Sequence, residues 1–171
     1  MVDANLLVTY DSSRGGKAKE EVEACLKEAG AKARFLKSDV TGLFQLNVKD
    51  PKVVVKKLVK SCKSDPDKFK LTYHYVPIDK WVKSDVKKMQ EVTKKFGEKI
   101  KKEEKWKLNL HKRHYEGDSR ELITKLTDPI DKPNVDLSDP DKIVQVEIVG
   151  AKAGIALLGK DELLEVTKIK G

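Results

Sequence analysis

Cysteine, histidine and aromatic side chains are scarce in this sequence, and long apolar runs are missing. Two cysteines among 171 residues, Cys25 and Cys62, cannot build a disulfide framework. Both fall in helix-like patterns where a small apolar side chain fits, so buried free thiols are expected. The longest apolar stretches, such as residues 143–149, are broken by charge well short of the roughly 20 residues a bilayer-spanning helix needs. No basic stretch followed by an apolar run opens the chain, so a cytoplasmic protein without membrane contact is expected. The junction Asp11, Ser12, Ser13, Arg14, Gly15, Gly16 lacks both G-x-G-x-x-G and G-x-x-x-x-G-K-[ST]. It reads as a simple loop, with Arg14 and Lys17 as secondary phosphate contacts at most.

Catalytic and metal-binding constellations are missing as well. His111 and His114 are three residues apart on a predicted strand, a spacing that sends them to opposite faces, and no third ligand lies nearby. His74, between Tyr73 and Tyr75, reads as a sheet residue rather than a base. Asp136, Asp139, Asp141 and Glu147 show no metal-ligand order and no neighbouring base. A non-catalytic chain with no metal or cofactor of its own is expected. The rival is an enzyme whose pocket is assembled from distant residues such as His74, Asp79 and Glu147.

Charge is what the sequence has in quantity: 36 Lys and Arg stand against 28 Asp and Glu, a net +8. Residues 80–107 hold 11 of the basic and only 5 of the acidic residues, so most of the surplus sits in one segment. Clustered lysines gain affinity for a polyanion by displacing its counterions, which points to a phosphate-binding surface. A solvated helix face with pairs such as Glu91 and Lys95 is the alternative. The length suits one domain or two small ones.

Apolar spacing places the elements. Residues 5–10 read as a strand, and Val22, Cys25, Leu26 and Ala29 recur at helical steps over a helix of residues 17–29 that Gly30 ends. Residues 34–37 and 43–48 read as two strands. A second helix begins at Asp50, a plausible N-cap, and Pro51, a good first helical residue. A fourth strand over residues 71–78 completes the order β-α-β-β-α-β of a ferredoxin-like unit. Residues 81–102 read as one long amphipathic helix through Val82, Val86, Met89, Val92, Phe96 and Ile100. Residues 106–115 alternate, with Trp106, Leu108 and Leu110 on one face and Lys107, Asn109, His111 and Arg113 on the other. Ser119 would cap a short helix, a turn-rich connection covers residues 127–141, and strands follow at 143–149 and 155–158.

Four segments in order carry a resemblance: Leu108, Asn109, Leu110, His111, Lys112, Arg113; then Ser119, Arg120, Glu121, Leu122, Ile123; then Val135, Asp136, Leu137, Ser138, Asp139, Pro140, Asp141; then Val144, Gln145, Val146, Glu147, Ile148. Together they make residues 106–166 resemble the THUMP domain of RNA-modifying proteins, and the first half fits the ferredoxin-like domain that precedes it. The resemblance implies an α/β (α+β) protein with a ferredoxin-like domain over residues 1–80 and a THUMP domain over 81–171. It is most similar to stand-alone THUMP proteins, which bind tRNA as adaptors for the RNA cytidine acetyltransferase that makes N4-acetylcytidine. Carried over, this implies a tRNA presenter, a monomer when free, whose partner supplies catalysis, acetyl-CoA and ATP. A general RNA-binding module without such a partner is the other reading. Arg113 matches the family's basic position at the strand end, and Asp136, Leu137 and Pro140 match its loop. Lys112, Arg120, Lys132 and Lys152 lie in or beside matching segments as candidate phosphate contacts, with Lys87, Lys94 and Lys95 as a group. Tyr115 and Arg113 are candidates for stacking on a single-stranded acceptor end.

Overall fold

The structure is a computed structural model that describes residues 3–171. Strand β1 (Leu6–Tyr10) leads through a short 3-10 turn at Ser12–Arg14 into helix α1 (Gly15–Glu28). Strands β2 (Ala33–Leu36) and β3 (Leu43–Val48), helix α2 (Pro51–Ser64) and strand β4 (Thr72–Pro77) follow. The strands order as β2-β3-β1-β4 in one antiparallel sheet, the ferredoxin-like arrangement expected from the element order. α1 packs through Ala18, Val22, Cys25 and Leu26, and α2 through Val54, Val55, Leu58, Val59 and Cys62. Burying these apolar stripes is what holds helices of this length, which would be marginal alone. Glu21 ties α1 to the start of β4: its carboxylate accepts from the backbone N–H groups of Lys70, Leu71 and Thr72 and from the Thr72 hydroxyl. Asp50 does stand at the N-cap position of α2, but at φ +53 its side chain makes no cap bond there. Pro51, with φ already suited to a helix, opens it.

The second sheet begins with β5 (Lys80–Lys83), where the long helix was expected. Lys80 to Lys83 pair with β8 (Lys152–Leu158), and Ser84 donates from its backbone N–H to Ala151 and from its hydroxyl to Gly150. Asp85 then adopts extended backbone and accepts from the Lys88 N–H, so helix α3 starts at Val86 and ends at Glu98. The apolar repeat of Met89, Val92 and Phe96 lies buried on α3, while Trp81 and Val82 extend the apolar pattern only by coincidence, as strand residues. Strand β6 (Trp106–Arg113), helix α4 (Ser119–Thr127) and strand β7 (Lys142–Val149) complete this part. The cap of α4 is Asp118, one residue before the expected Ser119. β7 turns into β8 through Gly150, whose φ of +60 suits a tight hairpin.

The sheet order is β5-β8-β7-β6, with β6 and β7 parallel and the other pairs antiparallel. Helices α3 and α4 share one core with Trp106, Leu108, Val144, Val146, Ile148, Ala153 and Ile155. The chain ends on β9 (Leu164–Glu165) and α5 (Val166–Lys170). Here the division into 1–80 and 81–171 needs a correction. β9 pairs with β4, and Leu164 and Val166 are buried in the core of the first unit. The two compact units are therefore Met1–Ile78 with Asp161–Gly171, and Asp79–Lys160. Among the described residues no helix is long and apolar enough to cross a membrane.

Candidate nucleic-acid interface

Strand pairing in the second unit defines two faces, because side chains alternate along each strand and paired residues share a side. One face carries Trp106, Leu108 and Leu110 toward α3 and α4. On the other face, register aligns Arg113 with Val149, Val149 with Lys152, and Lys152 with Lys83. Three cations thus lie in one row across the end of the sheet, over strands spaced about 4.8 Å apart. The next row runs His111, Glu147, Gly154, Trp81. Lys83 and Lys152 are exposed, whereas Gln145, Glu147 and Ala156 behind them are fully buried. β6 is thus not a strand with one solvated side, since even Lys107 on this face is buried.

Glu147 organises this end of the sheet. Its Oε2 accepts from Gln145 Nε2 at 2.6 Å and from His111 Nδ1 at 2.7 Å. Arg113 Nη1 lies 2.9 Å from its Oε1, an ion pair whose alignment falls short of a hydrogen bond. Asn109 Nδ2 donates to Gln145 Oε1 at 2.9 Å, which turns the Gln145 amide so that its nitrogen faces the carboxylate. Burial pushes the Glu147 carboxyl up, but the His111 bond and charge, the Arg113 charge and the Gln145 bond outweigh it and hold it below the usual carboxylate range. The backbone of Arg113 is held as well: its carbonyl accepts from Gly150 N–H at 2.8 Å.

The expected RNA contacts separate into groups. Arg113 and Lys152 share the cationic row. Lys112, the next residue along β6, points to the opposite, helix-covered side and donates to the Gly117 carbonyl. Arg120 is exposed on α4, beside Glu121, Thr124 and Lys125. Lys132 donates to the Gly97 carbonyl at 2.9 Å, closing the C-terminal turn of α3. Lys87 and Lys94, seven residues apart on one side of α3, flank a groove with Glu91 and Asp128, while Lys95 is exposed outside that groove. Tyr115 packs against the core of the second unit, which leaves it poorly placed for base stacking. Asp136 is spent on its own loop, accepting from the Ser138 and Asp139 N–H groups and the Ser138 hydroxyl, which hold its carboxyl low. That loop leaves Leu137 74% exposed.

Three features went unread in the sequence. Lys83 and Trp81 belong to the same face as Arg113, a relation hidden by assigning Trp81 to a helix. Glu147 passed for an isolated carboxylate, although its alternation with Gln145 on a strand beside His111 was a usable signal. In the first unit, α2 carries five lysines and no acid, and Lys57 and Lys60 line a groove with Ser61, Ser64 and Lys68. The run is present in the sequence as Lys52, Lys56, Lys57, Lys60 and Lys63 with no acid between them.

No protein-family model matches the chain, and no curated protein matches it. Solved structures do. PH1313 from Pyrococcus horikoshii Ot3 superposes with a TM-score of 0.59 at 17% identity, covering 91% of this chain and 55% of that one. TrmN from Thermus thermophilus superposes at 0.53 with 15% identity, over 89% of this chain and 44% of that one. This chain therefore spans about half the length of each. At such identities the likeness is one of fold, and it agrees with the order of elements and sheets in placing a ferredoxin-like unit before a THUMP-type unit.

Proposed function

We propose that this protein is a non-catalytic tRNA-binding adaptor that presents tRNA, through its acceptor end, to a separate RNA cytidine acetyltransferase for N4-acetylcytidine formation. The observation that carries the RNA-binding part is the row Arg113, Lys152, Lys83 across the end of the THUMP-type sheet, beside Trp81 and His111. Cations spaced in a row across the end of a sheet can follow a phosphate backbone, and an aromatic ring offers a stacking surface to an unpaired base. The adaptor part rests on the four motif segments in the sequence. In this reading the partner supplies acetyl-CoA, ATP and the reacting groups.

Binding of labelled tRNA, intact and with its CCA end removed, tests the proposal across a salt series. Four to six phosphate contacts give a log–log salt slope of roughly −3 to −5. Trimming should weaken binding by about tenfold, equivalent to roughly 1.4 kcal/mol. Equal, salt-sensitive binding to both RNAs would favour a general RNA-binding module, and no binding above a similarly basic control would end the RNA reading. Incubation with tRNA, acetyl-CoA and ATP, followed by nucleoside mass spectrometry, should yield N4-acetylcytidine only when the acetyltransferase is added.

A further inference from the structure

The second unit buries a carboxylate among core residues, at a position that packing alone would fill with an apolar side chain. Glu147 is fully buried on a strand whose neighbours Val146 and Ile148 are core residues. Well-packed apolar residues often replace a buried ion pair without loss of stability. The pair is also not built for strength: Arg113 Nη1 and Glu147 Oε1 are both buried, and neither completes an aligned hydrogen bond. What the carboxylate does achieve is placement. It binds two cation-forming side chains, two residues apart on the same face of β6, and both still reach the surface: the His111 side chain is 43% exposed and that of Arg113 is 16% exposed. The Asn109–Gln145 bond fixes the remaining neighbour, so the carboxylate has little freedom to turn.

We propose that Glu147 is a positioning residue for RNA recognition, holding Arg113 and His111 as a preformed pair at the cationic end of the sheet. This rests on the RNA-binding reading above. A long guanidinium side chain otherwise loses rotamer freedom on binding, and fixing it beforehand removes that cost from the association step. His111 donates from Nδ1 to the carboxylate, which fixes the orientation of a ring that is 43% exposed. The pair would engage phosphate, with Lys152 and Lys83 continuing the contact along the row.

The two roles open to Glu147 predict opposite signs. By charge alone, removing a carboxylate beside a polyanion site leaves RNA binding unchanged or tighter. As a positioning residue, Glu147→Gln should weaken tRNA binding by about tenfold at fixed salt while the melting curve shows a folded protein. Arg113→Ala should then cost much less in the Glu147→Gln background than in the wild type, because a loose Arg113 has already lost its advantage. The Arg113 Nε–H resonance of wild-type protein without RNA gives a readout that needs no variant: ordered and slowly exchanging is expected, and a freely rotating guanidinium would overturn the proposal. Equal or tighter RNA binding by folded Glu147→Gln would also overturn it. If the wild type binds no RNA, the functional proposal falls and takes this inference with it, an outcome distinct from binding that ignores Glu147.

Discussion

Glu147 also makes a prediction that does not involve RNA. Its carboxyl is held low in the folded protein and returns to its ordinary value, near 4.5, on unfolding. A group depressed by folding stabilises the folded state above the unfolded value and loses that contribution as pH falls through the folded one. Wild-type protein should therefore lose more thermal stability between about pH 5 and pH 3 than Glu147→Gln does, with melting temperature against pH as the measurement. Parallel curves would mean that the carboxylate gains nothing from His111 and Arg113. The cysteines show residue-level inference working from sequence alone: both are free and buried. Burial above all, with Glu21 and Glu28 nearby, pushes the Cys25 thiol up to about 12. Their small size and helical spacing were enough to place them, because packing against a sheet uses the same periodicity that the sequence displays. The role of Glu147 was not legible in that way, since burial of a strand's second face depends on what the rest of the chain lays against it.

The elements follow from local chemistry except where two rules compete. α3 illustrates both outcomes. Its apolar stripe was evident, yet its start is set by Asp85 and by backbone bonds from Ser84 to the Gly150 turn, 66 residues away. A hydrophobic spacing of three or four residues continues across a strand–turn–helix junction as easily as along one helix, so periodicity could not find the boundary. The other end of α3 depends on a close approach. A Cβ on Gly97 would stand 2.9 Å from the side chain of Ile130, itself buried, so Gly97→Ala must displace it. Overpacking of this kind costs about 1–3 kcal/mol, against a gain of about 1 kcal/mol from helix propensity. We expect a net loss on the order of 1 kcal/mol in urea unfolding, whereas Gly16→Ala, where an added Cβ meets nothing within 4 Å, should be neutral or stabilising. The charged segment of residues 80–107 behaves likewise. It comprises all of β5, helix α3, a turn and the start of β6, so its lysines do not form one basic helix.

At the scale of the whole molecule, the return of the chain is the largest departure from a linear reading. Residues 161–171 add a fifth strand to the first sheet, and Lys170 Nζ donates to the Phe69 carbonyl at 2.6 Å. Leu164 pairs opposite Tyr75 and is fully buried. Leu164→Ala should cost about 2–5 kcal/mol. The loss should appear in the first unit, read by hydrogen exchange of β1 and β4 amides, while amides of β7 keep their protection. Uniform loss of protection in both units would show that they unfold together, and no loss would remove the C-terminal segment from the first core.

The sequence by itself determined most element types, though not β5, β9 or α5, together with the ferredoxin-like order of the first half, the buried cysteines, and the basic character that directs attention to nucleic acid. These rest on periodicity, turn chemistry and charge, which act between near neighbours or require no geometry at all. Only the tertiary structure decided that Trp81 and Lys83 stand on the same face as Arg113, that Lys112 and Lys132 are turned to other tasks, and that Glu147 gathers His111 and Arg113. The physical reason is register. Which residues of β5, β6, β7 and β8 share a row depends on hydrogen bonds between strands, and β5 with β8 and β6 with β7 are far apart in the sequence; a shift of one residue would have sent the opposite set of side chains to that face.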